Sequence, residues 1–312
     1  MSGISIGEVE EQYHRLSQAG RYAQALDLVT REAHLFPAHS QRVVYYWRVS
    51  MACRLDNRAL ALQLLAEAIH AGHWYHGLRE DAALQLLRGL PEFEEIAQIC
   101  EERRALAIAN STPVLKILSP DTGSPPYPLL IALHGNQSNV ESFSIHWTAA
   151  SSHGWYVGLP QSSQSYGKET FTWNDWEWAV DQIRKDYGIL CAQYPIDLSQ
   201  VVLAGFSMGG GLAAFLALSG AIRVRGLVLV APFLENVDEL VPLMEQHPPK
   251  GLRTFIVSNE RDEYCAGIAQ QLSRLLPQHG ILSQSEIYSE AKHGFPSHFE
   301  TKLPQAMDWL VG

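Results

Sequence analysis

A chain of 312 residues is long enough for about two domains, or one large one, around a substantial buried core. Hydrophobic residues at 46% and charged residues at 18% exclude a disordered or fibrous protein. With 23 Lys+Arg against 33 Asp+Glu, a formal net charge of −10, no basic excess exists to neutralise phosphates, so nucleic acid is not an expected partner.

The N-terminal stretch M-S-G-I-S-I-G-E-V has neither the basic nor the apolar region of a signal peptide. No apolar run of about 18 residues follows, which makes the cytoplasm the expected compartment and leaves no membrane span. Cys53, Cys100, Cys191 and Cys265 are dispersed without a C-x-x-C spacing, so buried, reduced thiols are expected rather than disulfides or a structural zinc site. Composition changes near residue 110. Before it stand two prolines, Pro37 and Pro91, and no lysine; after it come the other fourteen prolines and all the lysine. This shift predicts a helical domain over 1–110 and a second domain over 111–312.

Within 1–110 apolar residues recur at helical spacing, as in Val43, Trp47 and Met51 or Leu62, Leu65 and Ile69, with breaks at Ala19-Gly20 and Leu55-Asp56-Asn57. Ala25 and Val29 are followed 36 residues on by Ala61 and Leu65, and Pro37 closes the first segment. The pattern resembles the tetratricopeptide repeat, a helix-turn-helix of about 34 residues whose small residues let paired helices approach. Repeats fall at about 6–39 and 42–73, and a degenerate third at about 74–108. A helical bundle without repeats is the alternative. Such a domain is expected to shape or cover the mouth of a site on the second domain, to self-associate, or to bind a protein partner.

Beyond residue 112 short β-rich runs alternate with helical segments: Val114–Leu118, Leu129–Leu133, Trp155–Leu159, Val201–Ala204, Leu227–Val230, Thr254–Val257 and Ser285–Tyr288. Several are apolar throughout, as strands buried on both faces are, and helices are expected over about 175–190, 208–220, 265–278 and 297–310. The fold class is therefore α/β, a doubly wound and mostly parallel sheet.

The strand V-V-L-A runs into Gly205-Phe206-Ser207-Met208-Gly209 and then a helix of small residues, the form of a nucleophile elbow. Residues two before and two after the serine must lack bulk where strand and helix cross, and the turn projects Ser207 outward as a nucleophile. The first helical amide, that of Met208, then faces any oxyanion forming beside it. A serine hydroxyl needs a base, and an imidazole needs a third group to fix its tautomer. His293, in S-E-A-K-H-G-F-P after the last predicted strand, is the expected base, ahead of His298 and His247. Asp262, in S-N-E-R-D-E-Y-C after the preceding strand, is the expected acid, with Glu260 and Asp238 as competitors and a helix N-cap as its plain structural role. The strand Leu129–Leu133 ends in L-H-G-N-Q, where Gly135 permits a turn that offers the amide of Asn136, or else of Gln137, as second oxyanion donor, with His134 supporting the loop.

The segment 160–178 is dense in aromatics. Phe171 and Trp173 are expected to wall a substrate pocket, with Gln161 as a polar contact, whereas Trp176 and Trp178 fit the start of a core helix. His73 and His76 lack a third ligand nearby and carry no metal site, and no phosphate-binding G-x-x-x-x-G-K occurs.

From about residue 113 onward the motifs L-H-G-N, G-F-S-M-G-G, R-D and H-G-F-P, in that order, resemble the α/β-hydrolase superfamily, especially small esterases of the phospholipase/carboxylesterase and dienelactone-hydrolase groups. The resemblance implies a serine hydrolase with the triad Ser207, Asp262 and His293, acyl transfer to serine followed by hydrolysis, and no metal or organic cofactor. Dienelactone hydrolases use a cysteine nucleophile, so Ser207 departs from them. Little lid material, about twenty residues between Ala231 and Gly251, points to short acyl chains or small esters. Thioester and peptide substrates suit the same triad. The competing class is an interaction scaffold on the helical domain with incidental hydrolase activity.

Overall fold

A computed structural model of the protein describes residues 4–248, 250–289 and 292–312. Glu290 and Ala291, inside the S-E-A-K-H-G-F-P stretch, lie outside the described residues. The chain divides into two units, one holding the residues up to Ser111 together with Ser165–Thr170, the other holding Thr112–Gln164 and Phe171–Gly312.

Among the described residues of the first unit five α-helices follow one another: α1 (Ile6–Gln18), α2 (Tyr22–Arg31), α3 (Gln41–Arg54), α4 (Arg58–His70) and α5 (Pro91–Ala109). Each packs on the next. Their starts are written in the sequence. Ser5 and Glu8 form a reciprocal capping box on α1, Asn57 caps α4 through Leu60 N, and Pro91 opens α5. Gly20 and Asp56, both at positive φ, turn the chain between helices. Ala25, Ala52, Ala61 and Ala68 are buried at the helix contacts, where a methyl group allows the backbones to approach. The stretch expected to give a third helix pair yields only α5 and a 3₁₀ turn over Ala82–Leu87. Glycines 77 and 89 at positive φ bracket that turn, and Trp74, Tyr75, Leu84 and Leu87 bury their side chains without a second long helix.

The six residues 165–170, expected in the catalytic half, belong to the helical unit. There the Arg42 guanidinium stands between two rings, 5.1 Å from that of Tyr166 and 5.6 Å from that of Tyr75.

The second unit is built on β1 (Val114–Leu118), β2 (Tyr127–Leu133), β3 (Tyr156–Gln161), β6 (Ile196–Phe206), β7 (Gly226–Val230), β8 (Arg253–Asn259) and β9 (Leu282–Tyr288). A small ribbon, β4 (Gln164–Gly167) and β5 (Thr170–Thr172), interrupts the series and was not expected from the sequence. The sheet order is β1-β3-β2-β6-β7-β8-β9, with β1 antiparallel and the others parallel. Along β2, Leu129, Ile131 and Leu133 enter one core cluster and Leu130 and Ala132 the other. The same alternation in β6 and β7 explains why these strands read as unbroken apolar runs: both faces are covered. Helices α8 (Trp176–Gln193), α9 (Met208–Leu218) and α11 (Ala266–Gln278) close one face; α7 (Thr148–Ser152) and α12 (Phe299–Val311) close the other. Two short helices, α6 (Val140–Ser144) and α10 (Val241–Gln246), lie in connections. No described helix is long and apolar enough to cross a membrane.

The chain leaves β2 toward β3 on one side and returns to β6 on the other. The gap between the carboxyl ends of β2 and β6 is thus the sheet's switch point, where doubly wound folds bind ligands.

Candidate active site

Ser207 follows β6 at that switch point, between the strand and α9, with φ 53° and ψ −122°, a backbone conformation that L-residues adopt only under strain, of order 1–3 kcal/mol. The turn is held from three sides. Ser207 N donates to Val230 O (2.9 Å), and its carbonyl accepts from Gly211 N (3.1 Å) and Phe233 N (2.9 Å). Sterics explain the flanking glycines. A Cβ on Gly205 would sit 2.3 Å from the Gly209 backbone, and one on Gly209 2.3 Å from Leu133 O and 2.4 Å from His134 O. The start of α9 is therefore pressed directly against the end of β2. Met208, first residue of α9, presents one of the helix amides that has no intrahelical acceptor, and the Asn136–Gln137 turn follows His134-Gly135 at the end of β2.

His293 and Asp262 complete a hydrogen-bonded chain to this serine. His293 Nε2 lies 2.9 Å from Ser207 Oγ, and Nδ1 lies 2.7 Å from Asp262 Oδ2. Asp262 follows β8 in a tight turn, and its Oδ1 accepts the amides of Tyr264 (3.1 Å) and Cys265 (3.0 Å), so the carboxylate also caps the approach to α11. Burial pulls its pKa upward, yet the bond from His293 and those two amides outweigh burial and hold it below the usual carboxylate value. An ionised Asp262 fixes the Nδ1–H tautomer, which leaves Nε2 free to accept the serine proton. Asn259 Nδ2 donates to Gly294 O (2.9 Å) and ties the His293 loop to β8. The competitors stand elsewhere: Glu260 is exposed, Asp238 is exposed on a 3₁₀ turn, His247 follows α10, and His298 is the N-cap of α12.

The expected pocket residues are distributed differently. Trp173 is fully buried and donates its indole N–H to His134 O (2.9 Å), so it cannot wall an open pocket; it braces the β2 loop from beneath. Gln161 is half-buried; its side-chain Oε1 accepts Val140 N (3.1 Å) and its main-chain carbonyl accepts Gln182 Nε2 (2.7 Å). Phe171 is half-buried, and its backbone pairs with Ser138. Trp176 packs edge-on to Phe215 at 5.0 Å, and Trp178 is exposed.

Sequence reasoning missed an aromatic ladder beside His293. Phe206 lies 4.8 Å from the His293 ring, Phe295 stacks on Phe206 at 4.9 Å, and His146 stacks on Phe295 at 3.8 Å. The only sequence signal was an aromatic in each of G-F-S-M-G and H-G-F-P. Thr172 Oγ1 donates to Asn174 Oδ1 (2.8 Å) and lies 3.5 Å from Met208 Sδ, which sets β5 against the elbow.

His134 is wholly enclosed. Its Nδ1 meets Gly135 O at 2.8 Å and its Nε2 accepts Ser162 N at 3.1 Å, which requires the neutral ring; burial drives its pKa down to about 4, only partly opposed by the Gly135 carbonyl. The unfolded chain, with an ordinary imidazole, takes up a proton between pH 6.5 and 4 that the folded chain refuses. Stability therefore falls as pH drops through that window, by on the order of 3 kcal/mol. In urea titrations across it, the stability gap between the wild type and His134→Asn should shrink toward acid pH. A gap that does not change with pH would show that no neutral buried imidazole is at stake.

A mostly parallel sheet carrying a strained serine between its central strands, with histidine and aspartate on later loops, defines an α/β hydrolase. The chain belongs to the α/β-hydrolase family: the family model described as the alpha/beta hydrolase fold matches residues 128–304, and that of the N-terminal domain of A/B hydrolase-like proteins matches residues 11–108. Among solved structures it is similar to an uncharacterized protein from Bacillus cereus ATCC 10987, with 23% identity, TM-score 0.57, and coverage of 98% of this chain and 99% of that one. A carboxylesterase from Mesorhizobium loti is 18% identical with TM-score 0.52, covering 64% of this chain and 94% of that one. The bifunctional acetylxylan esterase/xylanase XynS20E of Neocallimastix patriciarum is 34% identical over 107 residues, which are 31% of this chain; the chain spans only 14% of that protein's length.

Proposed function

We propose that the protein is a serine esterase that hydrolyses carboxylic esters of short acyl chains through an acyl-enzyme. The unbroken hydrogen-bonded chain from Asp262 through His293 to Ser207, at a turn whose backbone is strained to project the hydroxyl, carries this reading. His293 Nε2 takes the Ser207 proton as Oγ attacks the ester carbonyl. The resulting imidazolium is stabilised by Asp262, and the amides of Met208 and Asn136 receive the oxyanion, each such donor contributing about 10²–10³ in rate. His293 then returns the proton to the departing alkoxide, and a water activated by the same nitrogen releases the acid. The protein's own groups suffice for these steps without a cofactor.

Short acyl chains are favoured because the β7–β8 connection, the usual place for a lid, holds among the described residues only a 3₁₀ turn and the six-residue α10. The acetyl ester named for the acetylxylan esterase relative makes acetate the first substrate to try. Treatment with a fluorophosphonate should add one adduct by intact mass, mapped to the peptide bearing Ser207. Turnover of p-nitrophenyl esters should decline from acetate through butyrate to octanoate. Preference for octanoate would overturn the acyl assignment. No adduct with no turnover would overturn the enzyme and turn attention to the helical unit as a scaffold.

A further inference from the structure

The acyl-transfer steps make no use of the Cys265 side chain, which is buried (1% exposed) where the chain enters α11. Its Sγ, a carboxylate oxygen of Asp262 and a ring nitrogen of His293 all lie within 4.8 Å of one another. Thiolate, carboxylate and imidazole together are a donor set that zinc accepts. Ordinary tetrahedral zinc bonds of about 2.0–2.3 Å place nitrogen and oxygen ligands about 3.3 Å apart and sulfur about 3.6 Å from each. From the present 2.7 Å, the His293 Nδ1 to Asp262 Oδ2 contact must open by roughly 0.6 Å, and Sγ, already within 4.8 Å, must swing inward by at most about an ångström, within reach of side-chain torsions. The His293 side chain is 35% exposed, which gives an ion a way in along the imidazole edge.

We propose that Asp262, Cys265 and His293 form an inhibitory site for zinc or another thiophilic divalent cation. The inference rests on the reading of Ser207, His293 and Asp262 as the catalytic triad. Coordination through Nδ1 forces the neutral imidazole to carry its single proton on Nε2. That nitrogen then points an N–H at Ser207 Oγ and can no longer accept the hydroxyl proton, so the nucleophile is not activated. As the metal–sulfur bond forms, the thiol proton leaves to solvent; nothing is oxidised or reduced. The charge of the cation is what makes the thiolate.

The test titrates zinc chloride into the full-length protein in a non-chelating buffer and follows ester turnover for the wild type, Cys265→Ala and Cys265→Ser. Each protein's metal-free turnover is the reference for its own zinc titration. Zinc should inhibit the wild type reversibly, with activity restored by EDTA, and the inhibition constant should rise at least about tenfold in both variants. Cobalt(II) supplies a readout independent of turnover: a thiolate-to-cobalt charge-transfer band expected in the wild type and in Ser207→Ala and missing from Cys265→Ala. Equal zinc sensitivity of all three proteins overturns the proposal, as does a cobalt spectrum unchanged by the loss of Cys265. A protein that hydrolyses no ester yet shows the Cys265-dependent band keeps the metal site and removes the catalytic reading beneath it.

Discussion

Ser207→Ala protein will fold as the wild type does and lose about 10⁴- to 10⁶-fold in kcat/KM on p-nitrophenyl acetate. The substitution removes one oxygen. The Cβ that the strained turn already accommodates stays, as do the backbone bonds from Ser207 N to Val230 O and from Phe233 N to Ser207 O, so stability should hardly move. What disappears is the atom 2.9 Å from His293 Nε2. His293→Ala and the double variant should fall to the same floor as Ser207→Ala, because nucleophile and base act as one unit and their losses do not add. Asp262→Asn should retain folding and lose about 10⁴-fold, since an amide facing Nδ1 supports the wrong tautomer. Steady-state kinetics with active-site titration decide the matter; a Ser207→Ala enzyme within tenfold of wild type would remove Ser207 from the chemistry.

The second large effect is on folding. Gly205→Ala and Gly209→Ala should each destabilise the protein by more than about 4 kcal/mol, or prevent its accumulation as folded protein. In both, the new Cβ meets main-chain atoms at 2.3 Å, and backbone cannot rotate aside as a side chain would. Relief requires prising α9 from β6 or from the end of β2. Gly188 is the matched control. It lies inside α8 with nothing within 4 Å of its would-be Cβ, so Gly188→Ala should stabilise by about 0.5–1 kcal/mol through helix propensity alone. Urea midpoints for the three variants separate the explanations: if Gly205→Ala and Gly188→Ala behave alike, the close approach of strand and helix is not what selects glycine.

The sheet was legible because its central strands are buried on both faces, and nothing but uninterrupted Val, Ile, Leu and Ala satisfies that environment. The β4–β5 ribbon was not, since Q-S-Y-G and T-F-T are short, half-polar and gain their order from neighbours far off in sequence. The density of aromatics over 160–178 was visible, but which ring faces solvent was not. Trp173 and Trp178 look alike in the sequence, yet one is enclosed under the His134 carbonyl and the other is exposed. Asp262 and Glu260 were separated in sequence only by preference. In three dimensions the turn from Asn259 to Asp262 aims the aspartate at His293 and leaves the glutamate outside. The proximity of Cys265 to the same pair depends on how tightly that turn winds into α11, which composition and spacing do not encode. Likewise, the fading of the helical repeat after residue 73 could be read, but not that a single helix would stand in for a pair.

The allotment of residues 165–170 to the helical unit alters what it means for this protein to be modular. The backbone changes unit after Ser111, again after Gln164 and again after Thr170. No single peptide bond separates the two. A gene fusion or a protease acting at the composition boundary near residue 110 would yield a catalytic fragment still carrying Tyr166, with Arg42 and Tyr75 left on the other piece. The two units are thus stitched rather than strung together, and inheritance of the hydrolase part by itself would require that short loop to be rewritten at the same time.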